Sequence, residues 1–153
     1  MKIAVISDTQ NLLREEAVER LKGADLIIHG GDVCNEDILL SLKKIAPVRA
    51  VRGNNDLGTF GSSLPVDELL EIEGMLIYIV HDINDMRISP EDVKVNAVIF
   101  GHSHKPQCEK RGDILYLNPG SIGRRRFKLP IAMAYLYIEE GELSGEIIYL
   151  EDK

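Results

Sequence analysis

The sequence predicts an α/β fold, because residues 1–56 alternate between strand and helix patterns and the remainder is rich in hairpin signals. Three short apolar runs, at residues 2–6, 25–29 and 48–51, are typical of strands buried in a parallel sheet. Amphipathic segments connect them, and βαβ units of this kind close as right-handed crossovers. We therefore expect sheet packed on sheet with helices outside, within one domain that covers residues 1–153.

A first helix is predicted after the first strand. Leu13, Ala17 and Leu21 recur at a spacing of four and so share one helix face. Asn11 is of a residue type that caps helix starts, and Gly23 is placed to end the helix with a left-handed C-cap.

A second helix is predicted between the second and third strands. Asn35 is its expected cap, and the two acidic residues that follow suit the positive end of the helix dipole. The apolar positions that would face inward are Ile38, Leu39, Leu42 and Ile45. Two lysines at 43–44 and a proline at 47 indicate where the helix ends.

The second half of the chain is predicted to consist mostly of antiparallel strands. Turn signals at residues 73–74, 111–112 and 140–141 are each flanked by alternating β-branched or aromatic residues, which is typical of hairpins. Residues 97–100 indicate a further buried strand. The glycine- and serine-rich stretch 57–65 is interpreted as a mobile loop.

Composition narrows the classes of protein to which the chain can belong. The 153 residues are 44% hydrophobic and carry a net charge of −7, which excludes disordered and fibrous classes and argues against duplex nucleic acid or an anionic membrane as a partner. There are only two cysteines and no signal-peptide pattern, so we expect a reducing, cytoplasmic location. The longest apolar runs fall far short of the ~20 residues that a membrane-spanning helix needs.

Side chains that can bind metal follow each of the predicted parallel-type strands. The groups are Asp8 with Gln10, Asp32, residues 53–56, His81 with Asp82, and residues 101–104. Open α/β sheets place their sites at these strand ends, and carboxylate, amide oxygen and imidazole are ligands of Mn²⁺, Fe²⁺ and Zn²⁺. Three of the four histidines fall in these groups. A pair of metals needs a bridging carboxylate, and Asp32, preceded by a glycine that allows a sharp turn, is the natural bridge.

With these five ordered motifs the chain resembles the calcineurin-like metallophosphoesterases, and among them the short YfcE-like phosphodiesterases. The family pattern of Asp-x-His, Gly-Asp, Gly-Asn, a histidine after a strand and Gly-His-x-His is followed in order over nearly the whole chain, with one substitution at Gln10. Residues 118–121, Asn-Pro-Gly-Ser, match the short members as well. The resemblance implies a four-layer sandwich of two mixed sheets flanked by helices, with a dinuclear site at one edge.

The resemblance also implies a function. The enzyme would hydrolyse a small phosphate ester, a diester or a monoester, by attack of a metal-bridging hydroxide, with no covalent enzyme intermediate. Mn²⁺ is the expected metal, with Fe, Zn, Ni or Mg as alternatives. Short members of the family often form homodimers, which leaves that assembly open for this chain.

Seven metal ligands follow from the same resemblance. They are Asp8, Gln10, Asp32 and His104 around one metal, and Asp32, Asn54, His81 and His102 around the other. Asp32, Asn54 and His102 are the residues expected to act in catalysis.

Three residues depart from the family pattern. Gln10 stands where the family has histidine, and its amide oxygen is a poorer donor to a transition metal than imidazole, so the first metal should bind more weakly. Asn55 stands where larger members carry a histidine thought to assist the leaving group, which predicts dependence on good leaving groups. Asp82 replaces a common glycine after His81 and could orient that histidine or crowd the site.

A non-catalytic interaction protein on the same fold is the alternative. The family includes a retromer subunit that keeps much of the site yet works by binding other proteins, and Gln10 keeps this alternative open. Burying carboxylates and imidazoles together without a metal would be costly, however. The enzyme is therefore favoured over a scaffold with an impaired metal site.

The remaining polar residues have plainer interpretations. His29 lies inside the second strand and is expected to be a buried, hydrogen-bonded histidine. Cys34 and Cys108 are expected to be unpaired packing residues. The basic run 124–126, together with Lys128, could supply an arginine that grips a substrate phosphate, although a solvated loop is slightly favoured.

Overall fold

A computed structural model describes residues 1–126 and 128–151, in which ten strands form two five-stranded sheets. In chain order the elements are β1 (Lys2–Ile6), α1 (Glu15–Leu21), β2 (Leu26–His29), α2 (Glu36–Lys43), β3 (Val48–Ala50), α3 (Gly58–Ser62), β4 (Asp67–Ile72), β5 (Met75–Val80), a 3₁₀ helix (Ile83–Asp85), α4 (Pro90–Val93), β6 (Ala97–Ile99), β7 (Gln107–Arg111), β8 (Ile114–Asn118), β9 (Ile131–Glu139) and β10 (Glu142–Leu150).

Both sheets are mixed, as the sequence predicts. The first has the strand order β10-β9-β1-β2-β3, in which β1, β2 and β3 are parallel and β9 pairs antiparallel with both β1 and β10. The second has the order β4-β5-β6-β8-β7, with a parallel centre of β5, β6 and β8 and an antiparallel strand at each edge. The carboxyl ends of the parallel strands of each sheet therefore share one edge.

The two sheets face each other across an apolar core. Ile3 and Val5 of β1 point into the cluster between the sheets, where they meet residues such as Ile79 of β5. Ala4 and Ile6 point to the opposite face, where α1 and α2 cover the first sheet. A third cluster covers the outer face of the second sheet. Because β1 is buried on both faces, it consists almost wholly of apolar residues, and the four-layer arrangement is confirmed.

The second helix and two of the three predicted hairpins follow the predicted signals, whereas the β7–β8 turn lies at residues 112–113, one residue later than predicted, because Arg111 still pairs with Ile114. The side chain of Asn35 accepts a hydrogen bond from the backbone N–H of Asp37 at 2.8 Å and so caps α2. The β4–β5 and β9–β10 hairpins turn at residues 73–74 and 140–141, where both central residues have positive φ. This is the backbone that a two-residue hairpin turn requires.

The first helix differs from its prediction. It begins at Glu15, the side chain of its N-cap residue Arg14 makes no cap hydrogen bond, and Asn11 lies outside the helix with a left-handed φ of 70°. Residues 7–12 are used instead to build the loop that follows β1, in which the backbone N–H of Leu12 donates to the Thr9 carbonyl. The functional loop therefore displaces the helix start by several residues.

A short helix, α3, stands in the stretch interpreted as a loop at 57–65. Gly61 packs directly against the backbone carbonyl of Asp56, where a Cβ would come within 2.1 Å of the carbonyl oxygen. Both cysteines are free, Cys34 half-buried and Cys108 exposed. Among the helices described, none combines the length and the apolar character needed to cross a lipid bilayer.

Candidate metal centre

The predicted ligands converge at the shared carboxyl edge of the two sheets. The loops after β1, β2 and β3 bring Asp8, Gln10, Asp32 and Asn54 from the first sheet, and the loops after β5 and β6 bring His81, His102 and His104 from the second. Asp8, Asp32 and His81 each offer one ligand atom within 4.8 Å of the others, and all three are buried. The site thus lies where the two sheets meet, and both contribute to it.

His81 occupies the middle of the centre. Its Nδ1 lies 2.7 Å from the carbonyl oxygen of Gly30, which can only accept, so Nδ1 carries a proton. Its Nε2 faces three oxygens, at 3.0 Å from Asn54 Oδ1, 3.4 Å from Asp32 Oδ2 and 3.9 Å from Asp8 Oδ1. In the neutral imidazole this nitrogen presents a lone pair to three acceptors, so a proton or a cation is needed between them.

The pKa values of the centre show the same demand for positive charge. Burial lowers the pKa of His81, but the hydrogen bond to Asp32 and the charge of Asp8 outweigh burial and raise it to about 9. Burial likewise raises the pKa of Asp32, yet hydrogen bonds from His81 and Asn55 hold it well below its usual range. In the metal-free protein at neutral pH, the His81 proton therefore stands where a divalent cation would bind.

Asp8 supplies a second observation that fits a metal. Its Oδ2 accepts hydrogen bonds from Ser7 Oγ at 2.6 Å and from the backbone N–H of His102 at 3.3 Å. Its Oδ1 is buried and has no hydrogen-bond partner within residues 1–126 and 128–151, although His104 Nε2 lies 3.4 Å away. A buried carboxylate oxygen left without a donor is costly, and coordination of a cation would satisfy it.

Asn54 and His102 complete the exposed side of the centre. Asn54 Oδ1 lies 3.0 Å from His81 Nε2 and 3.2 Å from His102 Nδ1, so one amide oxygen faces two imidazoles. His102 is 46% exposed, and its Nε2 lies 3.7 Å from Asp82 Oδ2. Asp82 is thus directed at His102, and its other oxygen caps the 3₁₀ helix by accepting from the backbone N–H of Asn84.

Gln10 reaches the centre with its amide nitrogen. Gln10 Nε2 lies 3.4 Å from Asp32 Oδ2, whereas Gln10 Oε1 accepts a hydrogen bond from Arg126 Nη2 at 3.0 Å. Asn55, the second departure from the family pattern, donates to Asp32 twice, from its backbone N–H at 2.8 Å and from Nδ2 at 2.9 Å. Both residues therefore act on the Asp32 carboxylate.

Asp56 is a functional residue to which the sequence analysis assigned no role. It is buried, its Oδ2 accepts from the backbone N–H groups of Asp32 at 3.0 Å and Gly53 at 2.8 Å, and its Oδ1 accepts from that of Cys34 at 2.7 Å. One carboxylate thereby ties the loop that carries Asp32 to the loop that carries Asn54. The available signal was its place at the end of the polar run 53–56, directly after a strand.

The close approach of the loops depends on two glycines. A Cβ on Gly31, whose φ is +105°, would lie 2.6 Å from His81 Nδ1, and a Cβ on Gly53 would overlap the Asp32 carboxylate. Seven residues of the site loops also hold left-handed backbones without being glycine. They are Asp8, Gln10, Asn11, Asp32, Cys34, His102 and His104. Such backbones cost energy and cluster at functional sites.

A cleft of about 430 Å³ opens beside the centre. Asn54, His81 and His102 line the side next to the carboxylates, and the cationic residues Arg52 and Arg87 line it as well. Clefts of this size accommodate small organic ligands. The acidic residues Asp67, Asp82 and Asp85 line the cleft too, so a small ester bound there would lie next to the centre among charges of both signs.

His29, which was predicted to be buried and hydrogen-bonded, lies beneath the centre and is fully buried. Its Nδ1 accepts from the backbone N–H of Gly31 at 3.1 Å, so Nε2 carries the proton, at 3.1 Å from Thr9 Oγ1. Thr9 Oγ1 in turn donates to the carbonyl of Val33 at 3.1 Å. Burial lowers the pKa of His29 to about 4, only partly opposed by the charges of Asp8 and Asp32.

This low pKa predicts a loss of stability in mild acid. Between pH 6.5 and pH 4 the unfolded chain binds a proton at His29 that the folded protein does not, so stability falls as pH falls through this window. The full shift corresponds to roughly 3 kcal/mol. Urea unfolding of the metal-free protein at several pH values should show this slope, and His29→Asn, which keeps an acceptor for Gly31, should lack that part of it. Equal slopes in the two proteins would contradict the assignment.

Comparison with known proteins identifies the family of this chain. A profile of the calcineurin-like phosphoesterase superfamily domain matches residues 1–141. A probable metallophosphoesterase of Methanocaldococcus jannaschii is 36% identical, over 99% of this chain and 83% of its own length. The phosphodiesterase YfcE of Escherichia coli is 28% identical, over 80% of this chain and 79% of its own length. The predicted resemblance is therefore confirmed.

Solved structures share the fold. A predicted phosphoesterase of Streptococcus pneumoniae superposes with a TM-score of 0.76 at 27% identity, over 97% of this chain and 88% of its own. Vps29 of Entamoeba histolytica, solved with Zn²⁺, superposes with a TM-score of 0.75 at 22% identity, over 97% of this chain and 99% of its own. The second likeness shows the fold alone. From its sequence and its fold, the chain belongs to the calcineurin-like phosphoesterase superfamily, a family of phosphoric ester hydrolases.

Proposed function

We propose that the protein hydrolyses a small phosphate ester with the help of two divalent metal ions, Mn²⁺ first among them, held where the two sheets meet. The observation that carries this proposal is the imidazole of His81, whose Nε2 faces oxygens of Asp8, Asp32 and Asn54. The buried, unsatisfied Asp8 Oδ1 supports it. Hard oxygen and imidazole donors in this mixture suit Mn²⁺, Fe²⁺ and Zn²⁺.

Six of the predicted ligands are retained in this proposal. Asp8 and His104 would bind one ion, and Asn54, His81 and His102 would bind the other. Asp32 is the proposed bridge between the two. Gln10 is given a different role below, because its carbonyl oxygen is bound to Arg126. When bound, two such ions would supply a hydroxide near neutral pH and neutralise negative charge on the phosphoryl oxygens.

The protein's own groups hold and orient the reactants. Asn55 and Asp56 fix the Asp32 carboxylate and its backbone, so the bridge is in place before any ligand arrives. Asn54 and His102 line the cleft and would contact the substrate. We therefore assign Asp32, Asn54 and His102 to catalysis. Asn55 cannot donate a proton to a departing alkoxide at neutral pH, so the proposal includes a preference for good leaving groups.

The proposal includes the binding partners and the location of the enzyme. Its substrate is a small phosphate ester, either a diester or a monoester, and it binds neither a membrane nor duplex nucleic acid. A single domain over residues 1–153 and a cytoplasmic location, both predicted from the sequence, belong to it too. A homodimer remains open.

A non-catalytic role in protein binding is the second candidate. The specific observation that favours it is the engagement of Gln10 with Arg126, which leaves one predicted ligand oxygen occupied. The likeness to Vps29 shows that this fold also occurs outside proteins named as phosphoesterases. The oxygens of Asp8, Asp32 and Asn54 around His81 still favour the enzyme, since a protein that only binds partners has no use for a buried, unsatisfied carboxylate oxygen.

An assay in which Mn²⁺ is added back to the metal-stripped protein tests whether the protein is an enzyme or a protein-binding scaffold. We expect bis(p-nitrophenyl) phosphate to be hydrolysed in a saturable, Mn²⁺-dependent manner, and faster than a dialkyl phosphate, which has a poorer leaving group. Release of p-nitrophenolate against Mn²⁺ concentration measures this. No turnover with Mn²⁺, Fe²⁺, Zn²⁺, Ni²⁺ or Mg²⁺ would overturn the proposal in favour of the protein-binding candidate.

A further inference from the structure

The loop that follows β8 carries Arg126 to the edge of the metal centre. Its base is fixed there, because Ile122 N–H donates to the Ser7 carbonyl at 3.2 Å and Ser121 Oγ donates to the Asp8 carbonyl at 3.2 Å. Gly123 then packs so closely on the carbonyls of residues 8–9 that no Cβ would fit. The loop is therefore built onto the loop that carries Asp8.

Four further hydrogen bonds involve the tip of this loop. Arg14 donates to the carbonyl of Gly123 from Nε at 3.3 Å and from Nη2 at 3.0 Å. The backbone N–H of Leu129 donates to the Arg126 carbonyl at 3.1 Å, and Arg125 Nε donates to the Leu129 carbonyl at 3.2 Å. The guanidinium of Arg126 contacts the side chain of Gln10.

The contacts of Gln10 fix which way its amide points. The Asp32 carboxylate can only accept hydrogen bonds and the Arg126 guanidinium can only donate them. With Nε2 toward Asp32 and Oε1 toward Arg126, both contacts of Gln10 are favourable. Rotating the amide by half a turn would set oxygen against carboxylate and NH₂ against guanidinium. The amide oxygen is therefore kept away from the carboxylate side of the centre.

We propose that Arg126 binds the phosphoryl oxygens of the substrate and that Gln10 is the positioning residue that holds its guanidinium beside Asp32. This assignment rests on the proposed function for its substrate. Gln10 links the two groups, with Oε1 3.0 Å from Arg126 Nη2 and Nε2 3.4 Å from Asp32 Oδ2. A phosphate bound at the Gln10 edge of the centre would meet the remaining guanidinium donors, whose fork matches two phosphoryl oxygens.

This arrangement explains how glutamine at position 10 could serve the site. A histidine there would offer a lone pair to a metal, whereas the glutamine amide holds the guanidinium of Arg126 at the edge of the metal centre. In a chain of net charge −7, with two buried carboxylates at the centre, an anionic ester needs local positive charge. Arg126 provides such charge whether or not metal is bound.

The first test is the affinity for inorganic phosphate. Titration calorimetry on the Mn²⁺-loaded protein should show phosphate binding weakened about tenfold or more in Arg126→Gln, because a charge-assisted contact is lost. Arg126→Lys should recover part of it, since a point charge replaces the fork. Arg124→Gln removes the same charge from an exposed position of the same loop and should change the affinity less than about twofold. Equal effects at 124 and 126 would overturn the assignment, because they would show a general charge effect.

The second test separates positioning from ligation at Gln10. Gln10→Leu should leave the Mn²⁺ affinity within about twofold, measured by calorimetry, while KM for bis(p-nitrophenyl) phosphate rises as it does in Arg126→Gln. Combining the two substitutions should raise KM no further than Arg126→Gln alone, because both act through one guanidinium. A tenfold loss of Mn²⁺ affinity in Gln10→Leu would make Gln10 a ligand instead.

The phosphate titration also keeps this assignment distinct from the proposed function. If the protein turns over no ester but Arg126→Gln weakens phosphate binding, the role of Arg126 is supported and the proposed hydrolysis is overturned. If the protein hydrolyses the ester and Arg126→Gln changes neither phosphate affinity nor KM, hydrolysis is supported and the role of Arg126 is overturned.

Discussion

Asp32→Asn should lower Mn²⁺-dependent hydrolysis by about a thousandfold and weaken Mn²⁺ binding. The carboxylate brings negative charge within 3.4 Å of His81 Nε2 and is the proposed bridge, whereas an asparagine offers one neutral oxygen. The amide NH₂ of the new asparagine would also point at the NH₂ group of Asn55 or of Gln10. Two donors would then face each other where the carboxylate had accepted a hydrogen bond. Initial rates with bis(p-nitrophenyl) phosphate and calorimetric Mn²⁺ titrations measure both effects.

Asp113→Asn is the matched control. Asp113 is an exposed residue of the β7–β8 turn, at the edge of the second sheet, so the same change of charge should leave rate and metal affinity unaltered. Circular dichroism should show folded protein for both variants. Activity in Asp32→Asn close to that of the unaltered protein would refute the bridging role.

Asp56→Ala should destabilise the protein by about 3 kcal/mol or more. The substitution leaves the backbone N–H groups of Asp32, Cys34 and Gly53 without their buried acceptor, and each such loss costs about 1 kcal/mol or more. The loops that carry Asp32 and Asn54 would also lose their common tie, so Mn²⁺ affinity should fall. Urea unfolding measures the first effect and titration of the folded variant at low temperature measures the second.

Asp67→Ala is a suitable comparison for Asp56→Ala. Asp67 accepts a hydrogen bond from the hydroxyl of Tyr78 at 2.5 Å, so removing its carboxylate should cost about 1 kcal/mol and leave Mn²⁺ affinity unchanged. If Asp56→Ala destabilised the protein no more than Asp67→Ala, the three backbone hydrogen bonds to Asp56 would not have the importance given to them here.

Capping signals in the sequence predicted a helix start correctly where the cap depends only on neighbouring residues. Asn35 caps α2 because its side chain needs only the backbone two residues ahead. Asn11 carries the same local signal and caps nothing, because the loop after β1 must turn through left-handed backbones to aim Asp8 and Gln10. The start of α1 was thus decided by the site, which no window of residues around it reveals.

The order of motifs predicted which loops meet, but not how their side chains pair. Strand ends at one sheet edge predicted that Asp8, Asp32 and His81 would come together, and they do. Asp56 contacts Gly53 nearby, but its role also depends on partners 22 and 24 residues away, and that of Arg126 depends on a partner 116 residues away. Whether Gln10 presents oxygen or nitrogen depends on Arg126, so the residue type alone could not decide it.

The left-handed backbones of the site loops bear on how such a chain changes over generations. Each non-glycine residue held at φ near +60° costs about 1 kcal/mol, which glycine would not. Once selection for hydrolysis is relaxed, replacing a proposed ligand such as His102 by glycine would relieve strain and so raise stability. Sequence drift in a descendant that has lost catalysis should therefore favour the loss of the proposed ligands at these strained positions.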